Sequence, residues 1–180
     1  MLIELRSCAL VALGKQNIED LHSFILVNKS YYQQTISSLE IELSILKFQE
    51  QIEKFFNNDR VIQFIVYKHY NVVGTIFLYR SKEGIRISIF FDKIVQNTYI
   101  PFEAILSTID FGIREYILDE IFFSVYTGNS KMLNIAKKIN AELLSKNKSE
   151  VDSNREVYTY KLSGSNLKSW IQRYNKFIYK

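Results

Sequence analysis

Three runs of β-branched and aromatic residues, separated by short turns, constrain this chain more than any other feature of its sequence. Val61–Tyr67 reads VIQFIVY, Val72–Tyr79 reads VVGTIFLY and Ile85–Phe91 reads IRISIFF. Such residues suit a pleated, half-buried surface, and the connections Lys68–Asn71 and Ser81–Gly84 are short enough only for turns between antiparallel neighbours. The hydrophobic period then changes. Pro101 opens a helical run to Tyr116, with Ile105, Leu106, Ile109, Phe111 and Ile113 as its buried face. Proline is accommodated in the first turn because its missing N–H would have no intrahelical partner there. Ile121–Tyr126 (IFFSVY) follows as a fully apolar strand, expected at the centre of a sheet. Strand, helix and strand form a βαβ crossover, which sets two parallel neighbours inside a largely antiparallel sheet.

The remaining segments fit around this frame. Cys8–Leu13 reads as a first strand, and Asn17 as an N-cap with Asp20 as the capping-box acid. Leu21, Phe24 and Ile25 then give a helix over about Ile18–Val27. From Ser38 to Phe56, Leu39, Leu43, Leu46, Phe48, Ile52, Phe55 and Phe56 fit a longer amphipathic helix, stopped by Asn57, Asn58 and Asp59. Asn129–Ile139 reads as a helix closed by Asn140 in the left-handed conformation. A short strand, a late strand over Glu156–Leu162 and a helix capped by Ser165, running from Asn166 to about Tyr174, complete the chain. With one Pro, six Gly and no repeat or low-complexity linker, the 180 residues read as a single domain, 1–180, with 164–180 as a C-terminal helical extension.

Composition narrows the function classes. Hydrophobic residues at 47% and charged residues at 23% describe a globular chain, not a disordered one. The lone cysteine, Cys8, rules out an intrachain disulfide; it reads as a small buried residue, the alternative being a nucleophile. His22 and His69 are too few and too far apart for a histidine metal site, and no metal is expected. The start, MLIELRSCALVAL, lacks the pattern of a secretory leader, and no window of about 18 residues is free of charge, so the reading is cytoplasmic with no membrane contact. The formal charge of +4 comes from 23 basic and 19 acidic residues that are interspersed, which argues against a nucleic-acid partner. Lys131, Lys137, Lys138, Lys146 and Lys148 lie in one region, either as a solvated face or as a patch for a phosphorylated small molecule.

The order of elements, together with IRISIFFDKIVQNTYIPFEAILSTIDFGIREYILDEIFFSV (Ile85–Val125) and TGNSKMLNIAKKINAEL (Thr127–Leu143), resembles the GCN5-related N-acetyltransferase family from Cys8 to Leu162. The resemblance implies an α/β (α+β) fold: a mixed, mostly antiparallel, twisted sheet of 6–7 strands flanked by about 4 helices. It implies acetyl-CoA, or another acyl-CoA, along Ile89, Phe90 and Phe91. Its pyrophosphate would lie on the loop Gln96, Asn97, Thr98, Tyr99 and Ile100, with Asn129 and Lys137 as further contacts. The general reason is that successive amides and the positive end of a helix macrodipole favour an anion. The family loop usually reads Arg or Gln, two residues, Gly, one residue, Gly or Ala. Gln96 matches it, whereas Tyr99 and Pro101 replace the small residues. Tyr99 adds a side chain where the backbone should approach phosphate, and Pro101 removes a donor. The tyrosine that many members use to protonate the leaving thiolate falls on Ala136, and the usual Phe falls on Ala141.

The activity implied is N-acetyl transfer to a primary amine of a small molecule, with a nucleotide-linked amino sugar as the finer expectation. Asp92 is the candidate base, with Glu83 and His69 as alternatives, and Tyr126 or Tyr99 the candidate acid. Tyr31 and Tyr32 occupy the place where members shape the acceptor site, and would stack on a sugar or nucleobase or pack the loop. A degenerate domain that binds a ligand or protein without catalysis is the second reading, favoured by Tyr99, Pro101 and Ala136. Oligomeric state reads as monomer or homodimer, with Trp170, Tyr174 and Phe177 as a contact or as packing on the chain's own sheet.

Overall fold

The computed structural model describes residues 1–31, 44–56, 61–148 and 155–178. Its strands are β1 (Leu2–Glu4), β2 (Ala9–Ala12), β3 (Val61–Lys68), β4 (Asn71–Arg80), β5 (Ile85–Phe91), β6 (Glu120–Tyr126), β7 (Glu142–Lys148) and β8 (Glu156–Ser163). Helices α1 (Ile18–Val27), α2 (Ile45–Phe56), α3 (Ile100–Tyr116), α4 (Ser130–Lys138) and α5 (Gly164–Ile178) connect or follow them. The strands pair in the order β1-β2-β3-β4-β5-β6-β8-β7. That is eight strands, against the six or seven expected. The chain divides into two compact units, one built from Met1–Phe77 and Ile89–Ile105, the other from Leu78–Ser88 and the chain from Leu106 onward.

The first unit forms around α1 and α2. Leu21, Phe24 and Ile25 of α1 and Phe48 and Ile52 of α2 are buried with Leu13, Ile18, Ile65 and Phe90 in one cluster. Their spacing of three and four residues puts each set on one helical face. His22 is buried too, its ring centroid 4.9 Å from that of Phe48. The strand face carries a polar pair that is fully satisfied: buried Gln63 donates from Nε2 to Thr75 Oγ1 at 2.9 Å, and Thr75 donates on to the Phe64 carbonyl at 3.0 Å. Each satisfied donor avoids a penalty of roughly 1–3 kcal/mol for a buried, unpaired group. The capping box expected at α1 does not form. Asn17 Oδ1 accepts from the Gly14 amide at 2.8 Å and its Nδ2 donates to the Ala12 carbonyl, so its side chain braces the turn before the helix. Asp20 instead accepts from the Tyr67 hydroxyl at 2.7 Å. Of the helix expected over Ser38–Phe56, the described part is α2, which begins at Ile45; Leu39 and Leu43 lie outside the described residues.

In the second unit the crossover is present: β5 and β6 are parallel, with Arg86 opposite Phe122. β8 pairs antiparallel with β6 and, on its other side, with β7. Ile121, Phe123 and Val125 alternate on one face of β6 and are buried. Phe123 stacks on Tyr160 of β8 at 5.4 Å between centroids. Gly84, at φ +139, sits under the Phe122 ring, where an added Cβ would come within 2.7 Å of it. Helix α5 begins at Gly164, so Ser165 lies inside the helix and is not its cap, and the helix continues past Tyr174 to Ile178. Among the described residues, no helix is long and apolar enough to cross a membrane.

Candidate functional site

The end of β5 and the start of α3 hold most of the residues singled out by sequence. Phe90 and Phe91 are buried and Ile89 is half-buried. Phe90 meets Phe24 edge-on and Tyr31 at a tilt, with centroids 5.6 Å and 5.5 Å away. After Phe91 the chain turns on Asp92. The Asp92 amide donates to the Val73 carbonyl, its Oδ1 accepts from the Ile94 amide at 2.9 Å, and its carbonyl accepts from Val95 N–H. One oxygen of the candidate base therefore shapes the turn. Of the other two candidates, Glu83 lies in the turn before β5, where the Ser81 hydroxyl, then its own backbone amide and then Arg86 hold its carboxyl below the ordinary range. His69 is exposed in the β3–β4 turn at φ +55.

Gln96 ties the loop down. Its Nε2 donates to the Tyr31 hydroxyl at 2.8 Å and to the Phe91 carbonyl at 3.1 Å. A carboxamide nitrogen carries two hydrogens, so both are engaged inside the protein and the exposed end offers only an acceptor. Lys93 places its ammonium 4.9 Å from the centre of the Tyr31 ring. Tyr31 is thus packed between Phe90, Gln96 and Lys93; Tyr32 lies outside the described residues.

The loop amides decide whether a diphosphate fits. Val95 N–H donates to Asp92 O, Gln96 N–H to Lys93 O and Thr98 N–H to Val95 O, while the Thr98 hydroxyl donates to Val95 O as well. Asn97 and Thr98 are exposed, and Tyr99 is 79% exposed. Tyr99 N–H has no partner among the described residues, and Ile100 N–H reaches Thr98 Oγ1 only at 3.3 Å. At the positive end of the 17-residue α3 the Tyr99 amide can receive an anion, the Ile100 amide can do so only by giving up Thr98, and Pro101 contributes none. The group fits, on a reduced donor set. A carboxylate already lies in this first turn. Glu103 is buried and accepts from the amide and hydroxyl of Ser7, at 3.0 Å and 3.1 Å. It lies beside Cys8, whose thiol is pushed up to about 12 by burial and then by the Glu103 charge. The sequence reading passed over Glu103, although an acid in the first turn of a helix is itself a recognisable signal.

The second unit holds the rest. Asn129 caps α4, its Oδ1 accepting from the Met132 amide at 3.1 Å, so the side chain that matched the family motif has a structural function here. Lys137 is exposed in the last turn of α4, and Ala136 is fully buried. Asn140 takes φ +52, as expected. Tyr126 ends β6 half-buried, with the Arg155 guanidinium 5.8 Å from its ring centre.

No family model matches the chain, and no curated protein matches it in sequence. Solved structures do match. RimL, a ribosomal L7/L12 alpha-N-protein acetyltransferase in complex with coenzyme A, has a TM-score of 0.78 at 14% identity, over 91% of this chain and 98% of that one. Spermidine N-acetyltransferase from Vibrio cholerae, in complex with CoA and spermine, has a TM-score of 0.75 at 17% identity, over 90% and 98%. FdhC, a nucleotide-linked sugar GNAT, has 0.76 at 18% identity and 98% of both chains. At such identities the likeness carries the scaffold and not the activity. The chain has the fold of the GCN5-related N-acetyltransferases.

Proposed function

We propose that the protein is a divergent member of that family, a single acyltransferase domain that moves an acetyl group from acetyl-CoA to a primary amine of a small molecule. The observation that carries this is the junction of β5 with α3. A buried strand end turns, through a loop pinned at Gln96, into the positive end of a long helix, where the Tyr99 amide has no partner among the described residues. Its support is the likeness, over nine-tenths or more of each chain, to acetyltransferases described as acting on a protein, on spermidine and on a nucleotide-linked sugar. When bound, coenzyme A supplies the acyl group as an activated thioester. The protein's part is to hold that group and the amine in line, which can account for much of the rate without a covalent intermediate. Asp92 is the proposed acceptor of the amine proton: its turn holds one carboxylate oxygen and leaves the other to take it. The finer acceptor, a nucleotide-linked amino sugar, is the reading preferred on the likeness to FdhC.

A second reading has its own observation. Gln96 has no side-chain hydrogen left for a phosphate, most loop amides are paired internally, and the leaving-group acid is replaced by buried Ala136. These fit a domain that keeps the scaffold and binds a ligand or protein without catalysis. Calorimetric titration with acetyl-CoA separates the two. Binding in about the micromolar to submillimolar range, followed by acetylation in an amine screen, supports the enzyme. No heat and no thermal shift at about millimolar cofactor sinks it in favour of the second reading.

A further inference from the structure

On the face of the sheet opposite Ile121, Phe123 and Val125, three strands bring one hydroxyl residue each into a transverse row. Thr159 of β8 lies opposite Ser124 of β6 and, on its other side, opposite Ser145 of β7. Residues paired across strands share a face and lie about 5 Å apart, so the hydroxyls of Ser145, Thr159 and Ser124 stand side by side. The irregularity between Leu143 and Ser145 brings Ser145 into this register. Arg86 of β5 closes the row: its Nη2 donates to Ser124 Oγ, and Ser124 Oγ lies 3.3 Å from Thr159 Oγ1.

The chemistry of the row is directional. Ser124 accepts from the guanidinium, which leaves its own proton to donate. Arg86 has five N–H groups; one reaches Ser124 and one reaches Glu83 at 3.5 Å. Its side chain is 16% exposed, whereas Glu83, the carboxylate paired with it, is 56% exposed in a turn. A cation mostly withdrawn from water, with a solvated counter-charge at long range, is under-compensated, and the fork of Arg is the group that best matches a planar or tetrahedral oxyanion. In the next row, where Phe122 lies opposite both Arg86 and Lys161, Lys161 is held by Glu142 at 3.2 Å and by Glu120 at 3.8 Å. Lys161 thus has two close carboxylates, whereas the acid paired with Arg86 stands at 3.5 Å.

We propose that Arg86, Ser124 and Thr159 form a binding site for the oxyanion, phosphate or carboxylate, of a small-molecule ligand. The test is calorimetric titration, without acyl donor, of three probes: O-phosphoethanolamine, β-alanine and ethanolamine. The phosphate or the carboxylate probe binds about tenfold or more tighter than ethanolamine, and which of them does so identifies the anion. Arg86→Gln abolishes the preference, and Thr159→Val, which keeps shape and removes the hydroxyl, lowers it a few-fold. Equal binding of all three probes, or no binding of any at about 10 mM, overturns the proposal, as does a preference unchanged in Arg86→Gln. If Arg86→Gln fails to fold, Ser124→Ala and Thr159→Val together decide by the same criterion. An anion preference in a protein that transfers no acetyl group keeps this site and sinks only the enzymatic reading.

Discussion

At the scale of single residues, the strongest constraint is the absence of a side chain at Gly74. A Cβ there would come 2.4 Å from Phe91 Cδ1 and 2.8 Å from the Phe90 carbonyl oxygen. The ring can turn, but the carbonyl belongs to a strand and cannot withdraw cheaply. Gly74→Ala is therefore expected to destabilise by about 1–3 kcal/mol, as overpacking does in a filled core. A lower urea midpoint at unchanged slope is the readout; an unchanged midpoint would mean that β4 does not press on Phe91. Cys8 gives a second residue-scale prediction, with a definite sign. Its thiol is raised from an ordinary value of 9.0 to about 12 by burial, with Glu103 adding to the effect. Between those pH values the unfolded chain has released a proton that the folded chain keeps, so stability falls as pH rises, by up to about 1.4 kcal/mol per pH unit. Below pH 9 the thiol is protonated in both states and adds no pH dependence. Urea melts from pH 8 to 11 should show a shallower decline in Cys8→Ala than in the natural chain; identical slopes would contradict the burial. The sequence supported a buried Cys8 from composition alone. Glu103 was not read from it, because the contact with Ser7 joins positions 96 residues apart.

At the scale of elements, helix ends carry the unusual conformations. α3 stops at Tyr116 and Ile117 follows at φ +51, a left-handed position that costs a β-branched residue most. Ile117 is 82% exposed, so it gains little packing in return. Ile117→Gly should stabilise by about 1 kcal/mol, the opposite of what most helix-to-glycine changes do. A rise in melting temperature checks it, and a fall would mean that the Ile117 side chain makes contacts on folding. The same element shows what was legible. Pro101, the apolar spacing and the change of period located α3 almost to the residue, and β5 was read over the same residues that the structure gives it. β1 was missed because three residues, one of them Glu4, are too few to show a period, and it exists through its register with β2. β7, Glu142–Lys148, was expected only as a short strand without bounds, because it is mostly exposed and polar; its pairing with β8 fixes its extent. Ser124 and Thr159 escaped for the same reason, since the register that aligns them is set between strands far apart in sequence, and Arg86 reaches them only through its side chain.

For the whole molecule, the scaffold was legible because patterns of period two and period 3.6 occur in an order that few folds share. The cofactor loop is where local chemistry and the family scaffold part. The loop retains the Tyr99 amide for an anion, engages the Ile100 amide with Thr98, loses a donor at Pro101, and carries an exposed tyrosine ring at Tyr99. A charge-assisted hydrogen bond is worth about 1.5–3 kcal/mol, so one missing donor lowers affinity by about ten- to a hundredfold. The double variant Tyr99→Gly, Pro101→Ala restores the donor and clears the approach, and its side chains are not part of the buried core. Calorimetry should find coenzyme A bound about ten- to a hundredfold more tightly than by the natural chain, with dephosphorylated pantetheine gaining nothing. That contrast matters because pantetheine lacks the diphosphate, so a gain for both ligands would report a general loosening of the loop. No gain for either, in a variant that melts normally, would mean that the α3 terminus does not hold the diphosphate. The internal pairing of the loop by Gln96, Thr98 and Asp92 would then be its function rather than a residue of an older one.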